Sequence, residues 1–352
     1  MDQRLADLHT WVERAFVQLG IDLAPDWRLT PVSGDASFRR YFRVHSHNMT
    51  WIAVDAPPAT EDSAQFVAIA RAWAPLDIHV PRIHACDLKH GFMLQSDLGD
   101  TLYLDVLNEQ NAAELYGKAL TSLSHIQQCR TLERGVELPH YDRAMLSTEM
   151  EIFREWFVEG LLGLVLSDAE QELLDQLFEE LADSALAQPQ VCVHRDFHSR
   201  NLLLSRERTP GVIDFQGAVI GPVTYDLVSL LRDCYIRWPD DLVYGLMARF
   251  GQSLVRAGMI EGYNEEIFRT WFDLMGMQRH LKAVGIFARL KLRDGKPAYL
   301  ADIPRTLGYI FQVAGQYPEF DRVSAWLKKR VVPAMKTTGH FDPADLQRWL
   351  RG

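Results

Sequence analysis

The sequence predicts an α+β protein of two lobes, a small β-rich one followed by a larger helical one. Three observations predict it. Strand-length apolar segments bounded by turn residues fill the chain up to Ser96. From Thr101 onward the apolar period lengthens to that of amphipathic helices. With 352 residues, 47% hydrophobic and 24% charged, the chain can bury two substantial cores.

Leu5, Leu8, Val12, Phe16 and Leu19 recur at helical spacing and predict an N-terminal helix. Residues 27–32, 38–44 and 51–55 read as strands, with the turn Ser33-Gly34-Asp35-Ala36-Ser37 between the first two. Pro57-Pro58 ends the third, and a helix follows over 61–73. Residues 82–87 and 92–96 flank Leu88-Lys89-His90-Gly91 as a hairpin. Long helices are expected over 111–128, 146–159, 168–187 and 239–257. Strand signal returns at 191–193, 202–204 and 212–214. No repeat or long linker interrupts the chain, so we expect an N-lobe of 1–96, a C-lobe of 97–352 and a hinge over 95–99.

Bulk properties exclude several classes. A net charge of −10 argues against general nucleic-acid or anionic-membrane binding. No apolar run reaches the length of a membrane span. The first residues lack the basic and apolar regions of a signal peptide, so the expected compartment is the cytoplasm. Cys86, Cys129, Cys192 and Cys234 are scattered, without metal-binding spacing, and read as free thiols. Protein partners are left open.

The chemistry concentrates in His194-Arg195-Asp196-Phe197-His198-Ser199-Arg200-Asn201, followed by Val212-Ile213-Asp214-Phe215. The first run has the His-x-Asp-x-x-x-x-Asn spacing of a kinase catalytic loop, and the second ends an apolar strand on an aspartate. Asp196 is the expected base, able to orient an acceptor hydroxyl and take its proton. Asn201 and Asp214 offer oxygens suited to Mg2+. His194 is expected to support the loop. The ordinary alternative for Asp196 is a loop-capping residue.

These motifs resemble the aminoglycoside phosphotransferase family, kinase-like enzymes acting on small molecules, over most of the chain from about Trp27. The segments 33–42, Asp55-Ala56-Pro57-Pro58, 230–235 and 278–287 are similar to the bacterial kinases that phosphorylate N-acetylmuramate and N-acetylglucosamine at the anomeric position in peptidoglycan recycling. The resemblance implies a bilobal protein-kinase-like fold, ATP as phosphoryl donor with Mg2+, and a small amino-sugar acceptor. It also implies that Ser33, Gly34 and Ser37 cover the phosphates, that residues 95–98 (Gln95, Asp97 and Leu98 among them) form the adenine hinge, and that Asp226 braces the catalytic loop.

One departure stands out. The third strand, Trp51-Ile52-Ala53-Val54-Asp55, lacks the lysine that usually reaches the nucleotide phosphates. Arg40 or Arg43 could replace it; either could equally be a solvent-facing strand residue. Without the lysine, Glu61 receives no role. The interval from Asp214 to Asp226 is short and lacks an Ala-Pro-Glu end, which disfavours a protein substrate.

N-acetylmuramate carries a carboxylate, for which arginine is the apt partner. Arg232, Asp233, Arg279 and His280 are the expected substrate-binding group; Lys282 and Arg289 are further basic residues nearby, and intrahelical ion pairs are the alternative for each. Aromatic stretches such as Phe153, Trp156, Phe157, Trp271 and Phe272 read as core packing. Two other functions compete: an aminoglycoside or small-alcohol phosphotransferase, and a pseudokinase that binds nucleotide without turnover.

Overall fold

The structure, a computed structural model, describes residues 2–32, 38–129, 131–132 and 137–350. In chain order the elements begin with α1 (Gln3–Leu19), β1 (Arg28–Val32), β2 (Arg40–Ser46), β3 (Met49–Asp55), α2 (Ser63–Trp73), β4 (Ile83–Asp87) and β5 (Phe92–Ser96). Next come α3 (Tyr103–Val106), α4 (Ala112–Ile126), α5 (Arg143–Ile152), α6 (Asp168–Leu186), β6 (Gln190–Val193), β7 (Leu202–Leu203), β8 (Gly211–Val212) and β9 (Val219–Pro222). The helices α7 (Tyr225–Leu231), α8 (Asp240–Arg256), α9 (Glu265–Leu292) and α10 (Ile303–Ala314) precede shorter C-terminal ones.

The chain forms two compact units, each discontinuous in sequence. Unit 1 comprises residues 1–107, 129–138 and 200–218; unit 2 comprises 108–128, 139–199 and 219–352. Each unit thus draws on three stretches of the chain. Hydrogen bonding explains the return of 200–218 to unit 1. Leu203 bridges Leu102, Leu204 donates to Thr101 O at 2.8 Å, and Val212 donates to His79 O at 2.8 Å.

Unit 1 is built on an antiparallel sheet of order β1-β2-β3-β5-β4. Helix α1 starts where the Asp2 carboxylate accepts the Leu5 N–H at 3.2 Å, and stops at Gly20 in the left-handed region. Its Leu8, Val12 and Phe16 bury against Phe42, Val44, Trp51, Ala53, Phe92 and Leu94, one face of the sheet. Leu19, in the same periodic series, stays exposed in the last turn. The β4–β5 turn needs glycine at position 91. Its φ is +76°, and a Cβ there would meet the Ala56 carbonyl oxygen at 1.9 Å.

Unit 2 is helical around α9, which packs against α5, α6, α7, α8 and α10. Residues 272–281 of α9 are buried without interruption, so this helix has no polar stripe along its middle. The expected helix over 146–159 is α5 continued by a π-helical stretch, Phe153–Leu161. Phe153, Phe157 and Phe272 lie in the core, with Trp156 and Trp271 half-buried. No helix among the described residues is long and apolar enough to cross a membrane.

Candidate active site

In unit 2 the catalytic-loop sequence leaves the end of β6, which pairs antiparallel with β9. Two buried aspartates hold it. Asp226, at the start of α7, accepts the His194 N–H at 2.6 Å and the Arg195 N–H at 3.0 Å. Asp233 accepts both the Ser199 N–H at 2.9 Å and its hydroxyl at 2.6 Å, and its other oxygen takes the Tyr235 N–H at 2.8 Å. Between these clamps, the Asp196 N–H donates to His194 Nδ1 at 3.2 Å. Arg195 is left-handed, with φ of +79°, a conformation that costs a non-glycine residue roughly 1–2 kcal/mol. The paired N–H groups on Asp226 offset that cost.

The charges around the loop are as organised as the backbone. Glu149 on α5, almost wholly buried, accepts from Arg195, from the Tyr141 hydroxyl and from Lys282 Nζ at 2.9 Å. Lys282 also donates to the Tyr225 hydroxyl at 3.1 Å. Burial would raise the Asp196 pKa, but Lys282, His198, Arg279 and His194 outweigh it and hold the carboxyl below its ordinary value. Asp226 shows the reverse balance. Burial pushes it up to about 7, against its two backbone N–H donors. Asp196 is thus kept ionised, as a base that receives a hydroxyl proton requires.

In unit 1, Asn201 and Asp214 are brought together by the β7–β8 hairpin. Ile213 donates its N–H to Asn201 O at 3.1 Å, and Asn201 Nδ2 lies 3.3 Å from Asp214 Oδ2. Gln216 Nε2 donates to the other Asp214 oxygen at 2.6 Å. Asp214 has φ of +64°, and the neighbouring Phe215 is packed between Phe66 and Trp73. No cluster of three or more histidine, cysteine or acidic side chains fit for a metal occurs among the described residues. One carboxylate with one amide oxygen suits Mg2+, which completes its shell with water and phosphate oxygens.

The other expected site residues are distributed as follows. Ser33, Gly34 and Ser37 lie outside the described residues. Arg40 is held by Asp55, with Nε to Oδ2 at 3.0 Å, and by Asp2. Arg43 bonds both Asp97, at 2.6 and 3.0 Å, and Asp100, at 2.7 Å twice. Asp97 also accepts the Gly99 N–H at 3.0 Å. Gln95 and Leu98 are buried near the end of β5. Glu61, given no role from the sequence, pairs with Arg39 at 3.1 Å, a residue that sequence reasoning missed.

Three of the four residues expected to bind the sugar have partners within the protein. Arg232 is 1% exposed and its guanidinium bonds Asp273 at 2.7 Å and the Tyr244 hydroxyl at 2.6 Å, both through Nη2. His280 is fully buried, bonded to Arg232 O at 2.8 Å and stacked on Tyr309. Asp233 has both oxygens on the loop backbone. Arg279 differs from these. It is 6% exposed, its one hydrogen bond among the described residues is to Cys234 Sγ at 3.6 Å, and its Nε has none. Burial opposes its charge, and the Asp196 and Asp233 carboxylates favour it.

The profile of the phosphotransferase enzyme family matches residues 28–261. The chain is 45% identical to the N-acetylmuramate/N-acetylglucosamine kinase of Pseudomonas putida over 322 residues, covering 90% of this chain and 94% of that protein. It is 38% identical to the protein of the same name from Neisseria meningitidis over 341 residues, covering 96% and 99%. Among solved structures, a Plasmodium vivax ethanolamine kinase aligns with a TM-score of 0.58 at 12% identity, covering 89% of each chain. An aminoglycoside phosphotransferase in complex with ADP and hygromycin B aligns with a TM-score of 0.56 at 13% identity, covering 86% of this chain and 96% of that one. At such identities the structural likeness shows the fold, which is the bilobal kinase-like one. The sequence likeness shows more: this chain belongs to the phosphotransferase enzyme family.

Proposed function

We propose that the protein is an ATP-dependent kinase that phosphorylates N-acetylmuramate and N-acetylglucosamine at C1, giving the α-1-phosphates. The names of its relatives support the acceptor class. The observation that carries the reading is the pairing of charges in unit 2: Asp196 is held ionised beside Arg279, a buried cation with no salt bridge among the described residues. Asp196 would accept the hydrogen bond of the anomeric hydroxyl, aim its oxygen, and take the proton as the bond to phosphorus forms. A buried guanidinium without an ion pair is costly, and an anionic acceptor group would offset that cost. The lactyl carboxylate of N-acetylmuramate is such a group.

The names of the relatives favour an amino sugar over an aminoglycoside as the acceptor. Asn201 and Asp214 would hold Mg2+, whose charge shields the nucleotide phosphates once bound. The requirement for ATP fits work in the cytoplasm, on sugars released from the cell wall.

The test is an ATP-consumption panel over amino sugars, aminoglycosides and simple alcohols, with the phosphorylated position assigned by NMR. The reading expects turnover confined to N-acetylated amino sugars and a phosphate on C1. Turnover of an aminoglycoside, or phosphate at C6, would replace it.

A further inference from the structure

The third strand has no lysine, and alternation along the second strand sorts the arginines that could stand in for it. Phe42 and Val44 of β2 face α1. Arg40 shares their side: its cross-strand neighbour is Asp55, and its guanidinium is shared between Asp55 and Asp2, next to α1. Arg43 faces two carboxylates, Asp97 and Asp100. Arg43 therefore sits alone with two acids, a group that repels a phosphate, and Arg40 is locked with Arg4 onto the shared Asp55 carboxylate and onto Asp2. Arg39, one residue before β2, is different. It lies against α2, its side chain 2% exposed, with Nε 3.1 Å from one oxygen of Glu61. The other Glu61 oxygen accepts the Phe38 N–H at 3.1 Å, so one carboxylate fixes both the side chain and the backbone that carries it.

The surroundings tie this guanidinium to the metal side of unit 1. Arg39 Cζ stands 5.7 Å from the centre of the Phe66 ring. Phe66 stacks on Phe215 with centroids 4.6 Å apart and planes inclined by 12°. Phe215 follows Asp214 directly in the chain. Cation, helix α2 and the metal-side aspartate are thus links of one packed series of side chains. Phe38 also immediately follows the residues expected to cover the phosphates, 33–37.

We propose that Arg39, positioned by Glu61, is the cation that binds the phosphates of the nucleotide. A guanidinium stays charged at any relevant pH, and its fork matches two oxygens of a phosphate. Beside Glu61, the guanidinium is the group that would meet the nucleotide. The role deepens the reading of the chain as an ATP-dependent kinase and rests on it for the identity of the donor.

Calorimetric titration of the full chain with adenosine, ADP and ATP, the last two with Mg2+, tests it. For Arg39→Gln the expected result is at least a tenfold loss of ADP and ATP affinity with adenosine binding unchanged. Arg39→Lys should recover part of the loss, and Glu61→Gln should weaken ADP binding by a smaller factor. Steady-state kinetics should show a raised KM for ATP and an unchanged KM for the sugar. Equal weakening of adenosine and ADP would assign Arg39 a packing role and overturn the proposal, as would unchanged binding of all three. Should Arg39→Gln fail to fold, the ADP-to-adenosine ratio in Arg39→Lys decides by the same criterion. The two readings fail separately. Arg39-dependent ADP binding without sugar turnover removes the sugar assignment, and sugar turnover with indifferent nucleotide binding removes Arg39.

Discussion

The surroundings of Asn201 and Asp214 in unit 1 and those of Asp196 in unit 2 are built on opposite plans. The pair proposed to hold Mg2+ is oriented by a two-stranded hairpin and by Gln216, partners within fifteen residues of Asn201. Asp196 depends on distant ones. Its loop hangs from Asp226 and Asp233, and its charge is set by Lys282 and Arg279 on α9. A hairpin suffices to bring two oxygen donors together. A carboxylate that must stay ionised while half-buried needs a tertiary frame that supplies both hydrogen bonds and compensating cations.

The contrast can be broken most directly at Asp196. Asp196→Asn should lower kcat by about 10³-fold, within the range for loss of a general base, and leave ATP affinity near the wild-type value. Turnover within tenfold of wild type would show that the frame around the loop serves something other than proton transfer. The next largest effect separates the two plans. Asp226→Ala leaves two N–H groups without an acceptor and should cost about 2–4 kcal/mol of stability in denaturant titration. Asp214→Asn, which tolerates the left-handed backbone, should instead raise the Mg2+ concentration for half-maximal rate about tenfold with little change in melting temperature. Similar stability losses in both variants would erase the distinction between local and long-range support.

A smaller effect sharpens the acceptor side. Arg279→Gln should raise KM for N-acetylmuramate about tenfold more than for N-acetylglucosamine, the worth of one charge-assisted contact. Equal changes for both sugars would leave the carboxylate with another partner. The least effect is expected in the pH profile. The rate should fall as pH drops through the Asp196 pKa, which lies below the ordinary carboxyl value because cations favour the ionised form. Lys282→Met removes the largest of these influences, so burial gains weight and the acid limb moves to higher pH. An unmoved limb would mean that the limiting titration belongs to a different group.

How far the sequence could be read followed the range of the interactions involved. The N-terminal helix was legible because Leu8, Val12 and Phe16 form a stripe against one sheet face. The β4–β5 hairpin was legible because its turn requires Gly91. Helix α9 left no such mark, since residues 272–281 are buried on every side and periodicity vanishes. For the same reason its side chains could not be sorted from the sequence. Arg232, drawn into the substrate group, is paired with Asp273, while Lys282, left outside it, reaches Glu149. Arg39 was missed because strand alternation alone cannot tell which face carries the helix that holds its partner.

The sequence by itself determined the catalytic-loop spacing, the aspartate after the second short strand, and the change from strands to helices near residue 100, because each is written in neighbouring residues. Tertiary structure alone decided which acids and cations meet, and hence the balance of charges around Asp196. Ion pairs such as Arg232 with Asp273 and Lys282 with Glu149 join residues 41 and 133 positions apart, and only folding brings such partners within reach.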